Sequence, residues 1–267
     1  MSMKVVELNI YPLKSGKSII LQKANLVATG FQYDRQWMLV DENGHFLTQR
    51  KHPHLANISF DPMKKEGIIY CSSSPDSHFH FQADLYKESN TNIVIWGESF
   101  IAGTYPLYVN TWFSKILNIK CKLVHIPQTQ KRMIFKTSVE KQIQVNFPDG
   151  YPLLLVSQSS LGDLNSRLSQ PIKANRFRAN IVVDGSQPYS EDGWKMIHIN
   201  KIPVKVVKPC SRCNVINVDQ GTGECHEEPL RTLSSYRKFN DGIHFGVNMI
   251  HLSEGLVSIG DKIEIIE

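Results

Sequence analysis

The densest group of reactive side chains in the sequence is Lys208-Pro209-Cys210-Ser211-Arg212-Cys213, directly after the branched apolar run Ile202–Val207. Three chemistries use a Cys-x-x-Cys pair. Structural zinc needs two further ligands. The nearby candidates are Cys225 and His226, and adjacent residues make an awkward pair on one ion. A thioredoxin-type dithiol sets its first cysteine at a helix start, whereas Asn214–Val218 is β-branched and reads as a strand. A single thiolate can instead ligate a soft metal or carry sulfur, with Arg212 alongside to favour the anionic sulfur. The remaining alternative is a buried cysteine pair at a strand end.

A second set of side chains is basic. Tyr11-Pro12-Leu13-Lys14-Ser15-Gly16-Lys17 puts ammonium groups, a hydroxyl and a glycine at a turn after the first apolar run. The spacing is not that of a P-loop, yet such a turn can hold a phosphate; a solvated lysine turn is the plainer alternative. Arg35 in Tyr33-Asp34-Arg35-Gln36-Trp37 can pair with an acid or grip an anion. Thr48-Gln49-Arg50 and Arg176-Phe177-Arg178-Ala179-Asn180 add guanidinium and amide groups. Arginines flanking an aromatic residue suit nucleic acid, but no basic and aromatic stripe is sustained, so no nucleic-acid partner is expected. The sequence has no His-Glu-x-x-His, Gly-x-Ser-x-Gly or Gly-x-Gly-x-x-Gly motif.

The elements that must position these groups are mostly strands. Lys4–Tyr11, Ser18–Ala28, Gln36–Val40, His45–Thr48, Leu55–Phe60, Gly67–Cys71, His78–Leu85 and Asn92–Trp96 are short apolar or alternating runs between turn residues. Asn43-Gly44 between the third and fourth of these predicts a hairpin. Pro106–Leu117 predicts a helix with a proline start. After the polar stretch Pro127–Arg132, Pro152–Val156 reads as a buried strand and Ser159–Leu168 as a helix with Leu161, Leu164 and Leu168 on one face. Asn180–Asp184, Met196–Ile199, Ile202–Val207, Ile243–Leu252 and Leu256–Ile266 predict strands, and Leu230–Phe239 a helix.

The chain has 267 residues, 41% hydrophobic and 21% charged, with a net charge of +5. These values suit a soluble globular protein and exclude collagen-like, disordered and helical membrane-spanning classes. Five cysteines at irregular spacing, without an apolar leader, argue against a secreted disulfide scaffold. A cytoplasmic protein with free thiols is expected, with no membrane association.

Taken together, these segments resemble one family. Phe147–Leu168 (FPDGYPLLLVSQSSLGDLNSRL), Asn175–Gly185 (NRFRANIVVDG), Val206–Glu224 (VVKPCSRCNVINVDQGTGE), Pro229–Arg237 (PLRTLSSYR) and His244–Asn248 (HFGVN) are similar to MOSC domains. YPLKSGK and GFQYDRQWMLVD are similar to the β-barrel domain that precedes them. The resemblance implies a mainly β fold with a few helices (α+β), with an N-terminal β-barrel-like domain, residues 1–126, packed on a MOSC β-barrel domain, residues 127–267.

The resemblance is strongest to the amidoxime-reducing and bacterial N-hydroxylated-base-reducing members. It implies a molybdenum cofactor (molybdopterin) between the two parts, with Cys213 as metal ligand and catalytic residue and Cys210 outside the ligand set. Lys14, Ser15 and Arg35 are expected to meet the cofactor from one side. Arg178 and Asn180 are expected on the other, with Ser211 and Arg212 beside the metal and Ser157 and Ser160 in a further matching segment. The implied reaction converts N–OH to N–H in a small N-hydroxylated substrate. The sequence has no cysteine cluster suited to a [2Fe–2S] centre, so no iron–sulfur cluster is expected, and the electron donor would be a separate ferredoxin, flavodoxin or reductase-like protein. MOSC modules also occur in molybdenum cofactor sulfurases, beside a pyridoxal-phosphate desulfurase domain. The alternative is therefore a cofactor or sulfur carrier using a Cys213 persulfide.

Overall fold

The computed structural model describes residues 2–63, 67–72, 74–81, 90–127, 129–137 and 140–267. Among these the fold is mainly β, with three α-helices: α1 (Leu107–Leu117), α2 (Gln158–Ser166) and α3 (Leu230–Tyr236). Among the described residues, no helix is long and apolar enough to cross a membrane.

The large sheet runs in the order Ile19–Leu21, Lys4–Ile10, Ile181–Asp184, Leu153–Ser157, Gly242–His251, Ile202–Arg212, Met196–Ile199, Ile263–Ile265. It curls without closing as a ladder. Near its far end, Lys262 meets Lys4 in a single bridge, supported by Val5 N–H to Asp261 O and Gly260 N–H to Val5 O, both 2.9 Å. Leu153–Ser157 and Ile181–Asp184 are parallel, so the chain must cross over between them, and α2 lies in that crossover. Ser157 ends the first strand and caps α2 by accepting from Ser160 N.

The expected split at residues 126 and 127 divides the chain by sequence, while the large sheet takes strands from both parts. There Lys4–Ile10 pairs with Ile181–Asp184; in a separate three-stranded sheet Lys23–Val27 pairs with Gly255–Ser258. The rest of the first part builds a separate sheet, Trp37–Val40, Lys122–His125, Glu98–Thr104 and Asn90–Ile95, and a three-stranded sheet, Ile58–Asp61, Gly67–Cys71 and Ser74–Phe81. Trp37, Phe60, Phe81 and Phe113 are buried in the core these elements share with α1.

Several expected elements differ. Ser18–Ala28 is two strands in different sheets, Ile19–Leu21 and Lys23–Val27. His45–Thr48 is not a hairpin arm: the turn at Asp41–Gly44 forms, but the return makes only isolated bridges, Val40 to Phe46 and His45 to Val94. Leu55–Phe60 begins as a 3-10 turn, Pro53–Asn57, since proline favours a helical start and lacks a ladder donor. Leu256–Ile266 breaks at Gly260, whose φ is +93°, separating Gly255–Ser258 from Ile263–Ile265. The last helix stops at Tyr236, and Lys238–Phe239 is extended. Met133–Lys136 and Lys141–Gln144 form a hairpin that the sequence pattern did not announce. Of the expected strand His78–Leu85, residues 82–85 lie outside the described residues.

Candidate functional site

One cavity gathers most of the chemistry-bearing residues. Lys14, Arg35, Arg50, Arg176, Arg178 and Arg212 line it, with Asp149 the one carboxylate among the described lining residues. Ser15, Asn180, Cys210, Ser211 and Cys213 line it too. Its walls come from both parts of the chain.

The first part contributes a turn. After the strand Lys4–Ile10, Gly16 N–H bonds Leu13 O at 2.8 Å, and Ser15 takes a left-handed φ of +67°. Gly16 has no room for a side chain, since a Cβ there would lie 2.9 Å from the Leu13 Cβ. The turn buries Lys14, whose Nζ donates to Phe147 O at 3.0 Å and to the Asp149 carboxylate. Burial pulls the Lys14 ammonium below its ordinary pKa, and Asp149 opposes that shift. Desolvation would raise the Asp149 carboxyl, but Lys14, Arg50 and Arg178 outweigh it and hold it below the usual carboxylate range.

Arg35 and Arg178 share one phenol ring. Their guanidinium carbons lie 4.3 and 4.2 Å from the Tyr11 centroid. Arg35 donates to Asp34, to Asn180 Oδ1 and to Arg178 O. Asn180 spends its amide within the protein: Oδ1 also accepts from Leu154 N at 3.2 Å, and Nδ2 donates to Asn9 O at 3.2 Å. It therefore fixes Arg35 as a wall of the cavity. Among the described residues, a single hydrogen bond, Nη1 to Gly16 O at 2.7 Å, holds the Arg178 guanidinium, leaving most of its five N–H donors unspent. Burial, and then Arg35, push its pKa down to about 10. Arg178 sits where an anion would be welcome.

The strand Ile202–Arg212 carries Cys210 and ends one residue before Cys213. It extends past the expected end at Val207 and runs into the cysteine motif. Its register shifts between Val206 and Lys208 and again between Pro209 and Ser211. Bulges accommodate proline in a strand and re-aim the side chains that follow. Cys213 is exposed and Cys210 half-buried, with Cys210 packed against the apolar cluster of Phe177, Ile216 and Phe245. Asn214–Asn217, expected as a strand, is a 3-10 turn starting from Cys213.

Arg212 does not face the sulfur as expected. It donates to Phe245 O at 2.8 and 2.6 Å and to Phe177 O at 3.0 Å, clamping two backbone segments. The cation beside the thiol is Arg50, with Nη1 3.9 Å from Cys213 Sγ. The sequence showed Thr48-Gln49-Arg50 at the end of a turn, but no spacing ties it to a cysteine 163 positions away.

Ser157 and Ser160 do not reach the cavity. Both are fully buried. Ser157 Oγ bonds Ser159 and Ser186 hydroxyls, while Ser160 Oγ donates to Glu191 Oε1 at 2.7 Å and accepts from Tyr189 N. Burial raises the Glu191 carboxyl above its ordinary pKa. This group holds α2 against the sheet.

Among the described residues, no three or more His, Cys, Asp or Glu side chains are placed to hold a metal ion. A metal at Cys213 would therefore have to bring most of its own ligands. A molybdenum cofactor does so, and its phosphate needs the cations and turn amides that line this cavity. The donor set fits that group.

A family model described as the MOSC domain matches residues 142–264, and one described as the MOSC N-terminal beta barrel domain matches residues 2–120. Mitochondrial amidoxime reducing component 2 of Bos taurus is 30% identical, covering 97% of this chain and 82% of that protein. Mitochondrial amidoxime-reducing component 1 of Mus musculus is 32% identical, covering 87% and 71%. The chain belongs to the MOSC-domain family. Molybdenum cofactor sulfurase of Oryza sativa subsp. japonica is 34% identical over 89% of this chain, but the chain spans only 31% of that protein's length. A solved structure, the YUAD protein of Bacillus subtilis, aligns over 98% of this chain and 94% of its own with a TM-score of 0.43 and 13% identity.

Proposed function

We propose that this protein is a molybdenum-cofactor-dependent reductase of N-hydroxylated compounds, with Cys213 as the protein's ligand to the metal. The observation that carries this reading is the meeting, at one cavity, of an exposed thiol from the second part of the chain with cations from both parts. The cofactor, when bound, supplies two-electron chemistry at the metal. Per substrate, two electrons and two protons are consumed, the N–O bond breaks, N–OH becomes N–H, and the oxygen leaves as water. A separate electron-transfer protein provides the electrons.

The remaining roles belong to side chains. Arg178, with unspent donors, and the Lys14-Ser15 turn hold the phosphate and pterin. Tyr11, Asp34 and Asn180 fix the Arg35 guanidinium in the cavity wall. Arg212 clamps the backbone next to the ligand, and Arg50 sets a positive charge beside the sulfur. The likeness to the amidoxime-reducing components over more than two thirds of their length supports the reading.

The exposed Cys213 thiol and the likeness to cofactor sulfurases favour a second reading, a carrier that holds sulfur as a Cys213 persulfide. Two measurements separate them. Protein expressed with sufficient molybdate is analysed for molybdenum, then assayed on an amidoxime and an N-hydroxylated purine with an artificial electron donor. Bound molybdenum with turnover supports the reductase, and Cys213→Ala is expected to lose both. Normal molybdenum content in Cys213→Ala removes the ligand assignment. Molybdenum without turnover, together with uptake of labelled sulfur from a desulfurase, establishes the carrier instead.

A further inference from the structure

The hairpin of Asn90–Ile95 and Glu98–Thr104 turns through two residues, Trp96 and Gly97, between the paired Ile95 and Glu98. Both turn residues have positive φ, +54° and +84°, the combination that selects Asn-Gly. Gly97 meets that demand, but a bulky aromatic side chain at the first position opposes it. Burial does not compensate, because Trp96 is 45% exposed. The turn conformation gives no reason for a tryptophan at this tip.

Its neighbours give one. The indole lies 5.0 Å from the Phe46 ring, and the Arg50 guanidinium lies 5.1 Å from the indole centroid. Arg50 is itself exposed, so the pair is not a buried anchor. The same guanidinium reaches Cys213 Sγ at 3.9 Å. Lys14 Nζ, 5.7 Å from the indole, also lines the cavity. An open aromatic surface thus stands one side chain away from the candidate metal ligand.

We propose that Trp96 and Arg50 form the outer part of a substrate subsite beside Cys213 and set how strongly a flat, conjugated substrate is preferred over a small aliphatic one. This rests on the reductase reading and assigns two residues to its selectivity. A planar ring stacks on the exposed aromatic–guanidinium pair, and unspent Arg50 donors meet ring acceptors. A small aliphatic N-hydroxylated compound gains little from that surface.

The test uses holoprotein with rates normalised to bound molybdenum. kcat/KM is measured for an N-hydroxylated adenine and for acetamidoxime in the wild type, Trp96→Asn and Trp96→Phe. Asparagine suits the turn, so the fold is retained. The purine-to-acetamidoxime ratio is expected to fall roughly tenfold in Trp96→Asn, as for loss of one stacking contact, and to recover largely in Trp96→Phe. An unchanged ratio overturns the subsite. Should the wild type turn over neither compound, the reductase reading fails separately. The subsite is then judged by equilibrium dialysis of adenine: about tenfold weaker binding to Trp96→Asn supports it, and equal binding overturns it.

Discussion

Arg178 is where stability and proposed function pull apart. It lies over the Tyr11 ring with Arg35, and burial together with that second cation disfavours its charge. An anion in the cavity would relieve this, while the unliganded protein bears the cost. Arg178→Met is therefore expected to lower molybdenum content several-fold while changing the stability of the cofactor-free protein by no more than about 1 kcal/mol. Ser160→Ala should behave in the opposite way. It removes a donor to Glu191 and an acceptor for Tyr189 N, costing about 1–3 kcal/mol with molybdenum per folded protein unchanged. Metal analysis and denaturant melts of both variants check the pair. A loss of molybdenum in Ser160→Ala would return that serine to the site. The contrast also shows what could be read from residues. Lys14, Ser15, Arg35, Arg178 and Cys213 reach the cavity from segments whose own composition marked them as anion- or metal-binding. Ser157 and Ser160 had matching types in a matching segment, but Ser157 caps the helix N-terminus and Ser160 is spent on Glu191 and Tyr189 N, and no sequence pattern reveals those partners.

At the scale of elements, long periodic segments such as α1 and the strand Gly242–His251 were legible, and breaks and bulges were not. The strand through Cys210 is continuous only because bulges absorb Pro209, and proline in a sequence reads as an end. The strands Glu98–Thr104 and Lys122–His125 show a tighter dependence. Gly103 pairs with His125, and a Cβ at Gly103 would come within 2.5 Å of the imidazole. Burial pushes the His125 pKa down to about 4. Between the ordinary value of 6.5 and 4, the unfolded chain binds a proton that the folded chain refuses. Stability is therefore fully present above pH 6.5 and declines as pH falls through that window, by up to about 3 kcal/mol for this residue alone. His125→Phe should flatten that part of the stability–pH curve, as read by urea midpoints at pH 7 and pH 5. An unaltered slope would assign the acid sensitivity elsewhere. Gly103→Ala, which forces the ring aside, should destabilise at both pH values.

On the scale of the whole molecule, the site depends on how the two parts of the chain are held together. The large sheet joins them at Lys4–Ile10, a small three-stranded sheet joins them at Lys23–Val27, and a further junction closes beside the cavity. Gln49 and Gln220, both buried, exchange amide hydrogen bonds of 3.1 and 3.0 Å, and Gln49 Nε2 also donates to Ser15 O at 2.7 Å. Next to them Asn57 Nδ2 donates to Thr222 O at 3.1 Å. Gly223, at a φ of +76°, passes so close that a Cβ would lie 3.0 Å from Asn57 Nδ2. The amide pair thus ties the Lys14–Gly16 turn to the segment that follows Cys213. Neither glutamine stands out in the sequence, because an amide carries no charge pattern and its partner is 171 positions away. Replacing one partner leaves the other's buried amide only partly satisfied, Gln49 keeping Ser15 O and Gln220 keeping Val218 O, at about 1–3 kcal/mol, whereas replacing both with leucine removes the amide-to-amide demand. Gln49→Leu and Gln220→Leu are each expected to destabilise the protein, and the double variant to be more stable than the sum of the two losses by at least about 1 kcal/mol. The same cycle scored by molybdenum retention during dialysis should show loss in Gln49→Leu and in the double variant, since leucine restores packing but not the hold on Ser15. Strict additivity in the melts, or full retention in the double variant, would show that the cavity keeps its shape without this link.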